Sequence, residues 1–197
     1  MFKTKGKIVL ASNSPRRKEL LASVGVVFDV IAANVDETLG TDESPTEHVE
    51  RLSLDKANAV AGDYPRAFVI GADSIVLLDG VVMGKPKDAP DAKDMLQRLS
   101  GRTHSVITGY AVVSLDLGIE VSGFSETRVT MKKLEIAEIG AYVATKEPMD
   151  KAGAYAIQGY ASSMVVGING SYSNVVGLPL TVVVGQLLEL GVLEFSG

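Results

Sequence analysis

A long apolar segment followed by a tight turn limits the folds open to this chain. Residues 68–78 read Phe-Val-Ile-Gly-Ala-Asp-Ser-Ile-Val-Leu-Leu, which predicts a long β-strand. Asp79-Gly80 follows, a favoured two-residue hairpin turn, and Val81 to Gly84 can form the returning strand. The sheet therefore contains an antiparallel pair and is not purely parallel.

Helix signals lie between the strand signals. The apolar strand Ile8 to Ala11 leads into Ser14-Pro15, which predicts an N-cap and first helical residue, and Gly25 ends that helix. A second strand is expected over Val26 to Ala32. Ser44-Pro45-Thr46-Glu47 is a capping box that opens a helix ending near Gly62.

The rest of the chain continues this alternation. Helical spacing of apolar residues predicts three more helices, at 92–99, 136–143 (ended by Pro148) and 180–188. Two strand-like stretches cover 105–114 and 119–131. Asn169-Gly170 predicts a second hairpin turn. We predict a mixed α/β fold, with residues 1–197 forming a single domain.

Composition excludes several classes of protein. A net charge of −5 argues against broad binding to nucleic acid or an anionic membrane, and the absence of cysteine excludes disulfides and thiolate chemistry. The short apolar run near the start is too brief for a signal peptide or a membrane span, so a cytoplasmic location is expected. Walker, dinucleotide, serine-hydrolase and zinc-protease motifs are absent, and the spacing of His48 and His104 suggests neither a triad nor a metal pair.

Arg16 and Arg17 occupy an unfavourable position for cations. Both fall in the first turn of the predicted helix, where the helix dipole disfavours positive charge. Their presence is explained if an anion binds at this helix end, with Ser12 and Ser14 donating hydroxyl groups to it. The alternative is a pair of solvated surface arginines.

Lys56 lies in the apolar stripe of its helix, between Val49, Leu52 and Val60. A buried lysine without a partner is costly, so its ammonium must reach an anion or extend to solvent. We therefore consider Lys56 a candidate ligand for an anionic group.

Asp73 is a carboxylate inside an otherwise apolar strand. Such a group calls for a metal, a cation or a substrate proton, and Gly71, two residues earlier on the same face, leaves room for a ligand. If the hairpin pairs Leu78 with Val81, the register places Ser74 opposite Lys85 and so Lys85 beside Asp73. Either Asp73 and Lys85 form an internal salt bridge, or Asp73 is a metal ligand or general base beside a phosphate-binding lysine.

Two further polar segments are weaker candidates. Residues 150–159 interleave Gly and Ala with Asp150, Lys151 and Gln158, a composition that suits a backbone lying against a ligand, and the Gln158 amide could bind the edge of a base. The segment Val-Asp-Glu-Thr at 35–38, which contains two acidic residues, follows the second predicted strand.

Together these segments resemble the Maf family, which is named for septum formation and contains nucleoside triphosphate pyrophosphatases. The similarity runs from Leu10 to about Leu180, in motifs that are long and specific. They are Leu-Ala-Ser-Asn-Ser-Pro-Arg-Arg at 10–17, Val-Asp-Glu-Thr at 35–38, Gly-Ala-Asp-Ser at 71–74, Gly-Lys-Pro at 84–86, Leu-Ser-Gly-Arg-Thr-His at 99–104, Asp-Lys-Ala-Gly-Ala-Tyr-Ala-Ile-Gln-Gly at 150–159 and Val-Gly-Leu-Pro-Leu at 176–180.

The resemblance implies a mixed sheet with helices and two lobes around a central cleft, as in inosine triphosphatase-like enzymes. It also implies water attack on the α-phosphate of a nucleoside triphosphate, with release of pyrophosphate. Asp73 would be the general base, Glu37 and Asp73 would bind a divalent cation (Mg²⁺ or Mn²⁺), and Lys151 would lie close to the same cleft. The groups around the triphosphate would be Ser12, Arg16, Arg17, Lys56 and Lys85.

Three positions bear on which nucleobase the enzyme would accept. In the branch resembling dTTP and UTP pyrophosphatases, the family motifs carry Arg, a hydroxyl residue and Gln where this chain has Arg16, Ser74 and Gln158. That branch usually has Thr in place of Ser74, so selectivity is expected to be looser. The alternatives are a 7-methyl-GTP or other purine triphosphate pyrophosphatase, and a non-catalytic nucleotide or nucleic-acid sensor. The expected partner is the nucleotide alone, with no nucleic acid or membrane, and a homodimer is plausible.

Overall fold

The computed structural model describes residues 1–196, which form nine strands and six α-helices. The strands are β1 (Phe2–Thr4), β2 (Ile8–Ala11), β3 (Asp29–Ile31), β4 (Phe68–Leu78), β5 (Val81–Met83), β6 (Thr103–Ser114), β7 (Ile119–Met131), β8 (Val165–Asn169) and β9 (Leu193–Phe195). The helices are α1 (Pro15–Ser23), α2 (Pro45–Ala61), α3 (Ala89–Leu99), α4 (Ile136–Ala144), α5 (Tyr172–Val176) and α6 (Leu180–Glu189).

Parallel and antiparallel strands share the larger sheet, as the sequence predicts. Its strand order is β3-β2-β4-β6-β7-β8, and β5 pairs with β4 as a hairpin. The strand β2 is parallel to β3 and β4, whereas β5 runs antiparallel to β4 with Leu78 opposite Val81. The mixed α/β fold is therefore confirmed.

The chain forms two compact units. Among the described residues, the first contains 1–73, 108–125 and 177–196, and the second contains 74–107 and 126–176. Three strands, β4, β6 and β7, contribute residues to both units. The prediction of a single domain over residues 1–197 stays a prediction.

In the first unit, helices cover both faces of the parallel strands. Ile8 and Leu10 of β2 pack in one buried cluster with Leu21 of α1 and Leu187 of α6. The intervening residues of β2, such as Val9, pack in another cluster with residues of α2 that include Ala57, Val60 and Ala61. This arrangement explains why β2 is apolar at every position, since alternate side chains enter different cores.

The second unit has its own core. Leu96 and Leu99 of α3 and Ile139 of α4 pack against strand residues that include Val76 and Val129. The apolar spacing that predicts α3 and α4 thus marks the faces of these helices that are buried here.

The predicted hairpin at Asn169-Gly170 is wrong. The chain leaves β8 at Asn169 and enters α5. The backbone N–H of Ser171 donates to Thr127 Oγ1 at 3.0 Å, so the chain after Gly170 is held against β7 and does not return as a strand. Gly170 has φ of 130°, and a Cβ there would lie 2.7 Å from Thr127 Oγ1. The glycine therefore serves a close contact with a neighbouring strand rather than a turn.

Candidate active site

Asp73 is the acidic residue predicted at the centre of the site, and it is paired with a buried lysine. It lies within β4, and its side chain is 14% exposed. Lys56 Nζ of α2 donates to Asp73 Oδ1 at 2.6 Å. The sequence analysis left open a salt bridge to Lys85, but within the first unit the cation beside Asp73 is Lys56.

Lys56 also contacts the second predicted metal ligand. Its ammonium lies 2.6 Å from Glu37 Oε1, the same distance as from Asp73. Two carboxylate oxygens, one from a strand and one from a loop, therefore bracket one ammonium. The Lys56 side chain is only 9% exposed, so of the two alternatives left open by the sequence the ammonium contacts carboxylates and does not extend to solvent.

Two glycines allow α2 to lie close enough for this contact. A Cβ on Gly71 would lie 2.0 Å from the carbonyl oxygen of Ser53, and a Cβ on Gly109 would lie 2.0 Å from that of Val49. The backbone of α2 thus rests directly on β4 and β6. The prediction that Gly71 leaves room for a ligand is wrong, because the helix fills that space.

The first turn of α1 begins as the sequence predicts. Pro15 opens the helix, and its first turn contains no acidic residue. Ser14 precedes it with extended backbone, and the Ser14 side chain makes no capping hydrogen bond. Instead, the Ser14 N–H donates to Ser12 Oγ at 3.2 Å, which fixes the turn between β2 and α1.

Arg17 is held within this corner. Its Nε donates to the carbonyl oxygen of Gly177 at 2.7 Å, and its Nη1 donates to Ser12 Oγ at 3.4 Å. Desolvation lowers the pKa of Arg17, and the charge of Arg16 acts in the same direction, whereas the charges of Asp73 and Glu37 raise it. The arginine pair is therefore in electrostatic reach of the two carboxylates that contact Lys56.

The predicted residues of the second unit include Ser74 and Lys85. Ser74 is half-buried in β4, directly after Asp73. The predicted pairing of Ser74 with Lys85 is wrong, because the β4–β5 ladder begins at Val76 opposite Met83 and β5 ends there. Lys85 is exposed in the segment that follows.

A backbone hydrogen bond connects that segment to residues 150–159. The N–H of Gly153 donates to the carbonyl oxygen of Gly84 at 3.0 Å, which brings together the neighbours of Lys85 and Lys151. Lys151 forms an ion pair with Asp150. Gly153 has φ of 67°, and a Cβ there would lie 3.0 Å from Val76. This glycine therefore allows a turn that packs closely on β4.

Gln158 lies half-buried near the end of the same segment, before the short 3₁₀ turn at 159–163. The segment is anchored by buried polar contacts that the sequence analysis did not find. Tyr155 OH lies 2.7 Å from His104 Nε2, and the Ala156 N–H donates to Tyr142 OH at 3.3 Å. Burial lowers the pKa of His104 to about 4 and raises that of Tyr155.

A second network, near Glu37, was also missed. Arg51 of α2 donates from Nε and Nη2 to the two oxygens of Glu43, and His48 Nδ1 lies 2.9 Å from Glu43 Oε2. The placement of His48, Arg51 and Asp55 on successive turns of one helix could have indicated a charged cluster.

The predicted metal ligands are two side chains, Glu37 and Asp73. Within residues 1–196 there is no group of three or more acidic or histidine side chains able to hold an ion. Glu37 and Asp73 supply carboxylate oxygens, the ligand type that hard divalent cations prefer, and both lie 2.6 Å from the ammonium of Lys56. In the same described range, none of the helices has the length and apolar character needed to cross a bilayer.

Comparison with known proteins identifies the fold and the family. The solved structure of the Staphylococcus aureus Ham1 protein superimposes with a TM-score of 0.55 at 15% identity, covering 93% of this chain and 99% of that one, which shows a shared fold.

Several relatives are much more similar in sequence. Proteins named dTTP/UTP pyrophosphatase from Geotalea uraniireducens (52% identical, 98% of this chain and 100% of the relative) and Syntrophus aciditrophicus (47%, 97% and 93%) align over nearly the full length. Another protein of that name, from Geobacter sulfurreducens, is 53% identical over 96% of this chain and 99% of its own. The family model for Maf-like proteins matches residues 7–190. The chain belongs to the Maf-like protein family.

Proposed function

We propose that this protein hydrolyses dTTP and UTP to the nucleoside monophosphate and pyrophosphate. The observation that carries the proposal is the pair of carboxylates, Asp73 and Glu37, bracketing the buried ammonium of Lys56. A carboxylate for proton transfer, cations for phosphate and an acidic pair for a metal are the groups that hydrolysis of a triphosphate requires. Relatives 47–53% identical over nearly the whole chain carry the name dTTP/UTP pyrophosphatase.

In the proposed reaction, a water oxygen bonds to the α-phosphorus, and the bond from that phosphorus to the α–β bridging oxygen breaks. Pyrophosphate leaves with the bridging oxygen, and the proton of the attacking water passes to Asp73 Oδ. Lys56 holds the Asp73 carboxylate in place through its 2.6 Å hydrogen bond. Arg16 and Arg17 supply positive charge for the triphosphate at the start of α1, together with Ser12 and Ser14.

A divalent cation, Mg²⁺ or Mn²⁺, would be held by Glu37 and Asp73, with phosphate oxygens as further ligands. When bound it would neutralise charge on the triphosphate. The remaining predicted substrate contacts rest on the sequence patterns and on the family resemblance: Ser74, Lys85, Lys151 and Gln158.

The test is a panel of triphosphates with Mg²⁺, comprising dTTP, UTP, CTP, dCTP, ITP and 7-methyl-GTP. We expect monophosphate and pyrophosphate in equal amounts, fastest from dTTP and UTP, and none after EDTA. Release of orthophosphate and a diphosphate would contradict attack at the α-phosphorus. A preference for 7-methyl-GTP or ITP would replace the pyrimidine assignment, and binding without turnover would make the protein a nucleotide sensor.

A further inference from the structure

The loop that carries Glu37 has no regular secondary structure of its own. It spans residues 32–44, between the end of β3 and the start of α2. The Glu37 side chain is 51% exposed, so burial does little to place it. The position of Glu37 relative to Lys56 therefore depends on polar contacts that fix the loop.

Arg51 makes those contacts from α2. Its Nε donates to Glu43 Oε1 at 2.6 Å and its Nη2 donates to Glu43 Oε2 at 2.9 Å, a bidentate pair. The same Nη2 donates to the carbonyl oxygen of Thr38, the residue after Glu37, at 3.2 Å. Its Nη1 donates to Asp55 Oδ2 at 3.1 Å, which fixes the guanidinium on the helix.

Glu43 extends this hold to the rest of the loop. Its Oε2 accepts from the Gly40 N–H at 3.1 Å, and its side chain is 13% exposed. The hydrogen bonds from Arg51 hold the pKa of Glu43 well below its usual range, so the carboxylate stays ionised. Asp36 Oδ1 accepts from both the N–H and the hydroxyl of Thr38, at 2.9 and 2.6 Å. Residues on either side of Glu37 are thus restrained.

Two of the contacts between α2 and this loop lie at Glu37 or next to it. Lys56 binds the Glu37 side chain, and Arg51, five residues earlier on α2, binds the backbone next to Glu37. We propose that Arg51 is a positioning residue that holds the 32–44 loop so that Glu37 faces Lys56. The consequence for catalysis rests on the proposed function. The fork of the guanidinium is required because it contacts Glu43 and Thr38 together, which a lysine ammonium does not reproduce.

The first test measures the loop itself, without reference to activity. Hydrogen exchange of the Thr38 and Gly40 amides is compared in the wild type, Arg51→Gln, Arg51→Lys and Arg66→Gln. Arg66 is the control, because it pairs with Asp116 on the surface and its side chain is 92% exposed. We expect exchange about tenfold faster in both Arg51 variants and unchanged in Arg66→Gln. Unchanged exchange in Arg51→Gln would overturn the proposal.

The second test asks whether Arg51 acts through Glu37. The Mg²⁺ concentration giving half-maximal pyrophosphate release is measured in Arg51→Gln, Glu37→Gln and the double variant. We expect Arg51→Gln alone to raise this Mg²⁺ concentration about tenfold relative to the wild type. When Glu37 is already replaced, Arg51→Gln should have little further effect. Additive effects would assign Arg51 a purely structural role. If Arg51→Gln does not fold, Glu43→Gln replaces it, with the same outcomes.

The two proposals fail in different ways. Absence of pyrophosphate release from the wild-type protein would remove the proposed function, and the exchange comparison alone would then decide whether Arg51 holds the loop. Normal release with identical loop exchange would remove the role of Arg51 and leave the function intact.

Discussion

Lys56 Nζ lies 2.6 Å from Asp73 Oδ1, in a contact between the middle of a helix and the middle of a strand. Both side chains are largely removed from solvent, since that of Lys56 is 9% exposed and that of Asp73 is 14% exposed. A buried charge pair of this kind is costly to break from either side, because the remaining charge loses its partner. The presence of this pair on an otherwise mostly apolar strand is best explained by chemistry. Three of the four predictions below concern the groups around it, and the fourth concerns His104 in the second unit.

Asp73→Asn is expected to lower pyrophosphate release by about 10²–10⁴-fold, the usual contribution of a general base. Lys56 keeps Glu37 as a counter-ion at 2.6 Å and can still donate to the asparagine oxygen, so the urea midpoint should change little. Asp116→Asn, on the surface beside Arg66, is the control and should leave turnover unchanged. Near-normal turnover by Asp73→Asn would remove Asp73 from its role.

Lys56→Met should reduce the free energy of unfolding by about 3 kcal/mol, because Asp73 and Glu37 lose their shared counter-ion. Lys3→Met is the matched control. Lys3 lies 3.9 Å from Glu194 with its side chain 71% exposed, and its loss should cost under about 0.5 kcal/mol. Urea unfolding at pH 7.5 measures both, and equal losses would show that the Lys56 pair is no stronger than a surface contact.

Gly71→Ala is expected to destabilise the protein by about 2–3 kcal/mol and to reduce turnover together with stability. The added Cβ would lie 2.0 Å from the Ser53 carbonyl oxygen, so α2 must shift and Lys56 with it. Gly185→Ala in α6 is the control, since a Cβ there has nothing within 4 Å and should be neutral or stabilising by up to about 1 kcal/mol. A stable, fully active Gly71→Ala protein would contradict the packing described here.

His104 should make stability depend on pH. Its pKa is lowered from 6.5 to about 4 by burial, so the unfolded chain binds a proton more readily between these values. The stability contributed by neutral His104 is therefore fully present above about pH 6.5. As the pH falls towards 4, the free energy of unfolding decreases by about 3 kcal/mol. Urea unfolding of the wild type and His104→Gln is compared at pH 7.5, 5.5 and 4.5. Because the carboxylates titrate in both proteins, the difference between the two free energies of unfolding reports the effect of His104 alone. Parallel curves would show that His104 does not titrate as expected.

Much of the fold could be predicted because local signals and tertiary packing agree. The capping box at Ser44 and Glu47 is formed, and the strand at 68–78 occurs as predicted, with Leu78 opposite Val81. Lys56 could be identified because a charge in an apolar helical stripe has few ways to be satisfied. Family membership followed from motifs spread along the whole chain, and the family model spans residues 7–190.

The features that the sequence did not reveal depend on contacts between distant residues. Nothing local distinguishes Gly71 as a helix-packing position from Gly71 as a ligand-binding one, and only the placement of Ser53 decides. The Asn169-Gly170 dipeptide has the composition of a hairpin turn, but Thr127 binds the chain beyond it. The strands β1 and β9, each three residues long, are too short for a periodic signal.

The pairing of β1 with β9, with Phe2 opposite Phe195, has a consequence for biosynthesis. Because β9 follows every other described element along the chain, β1 cannot pair with it until all of those elements have been synthesised. Leu187 and Val192, which pack in the same cluster as Ile8, emerge equally late. The strands β1 and β2 therefore keep apolar surface uncovered while the elements between them and β9 are made, a stage at which a partly folded chain is prone to aggregate.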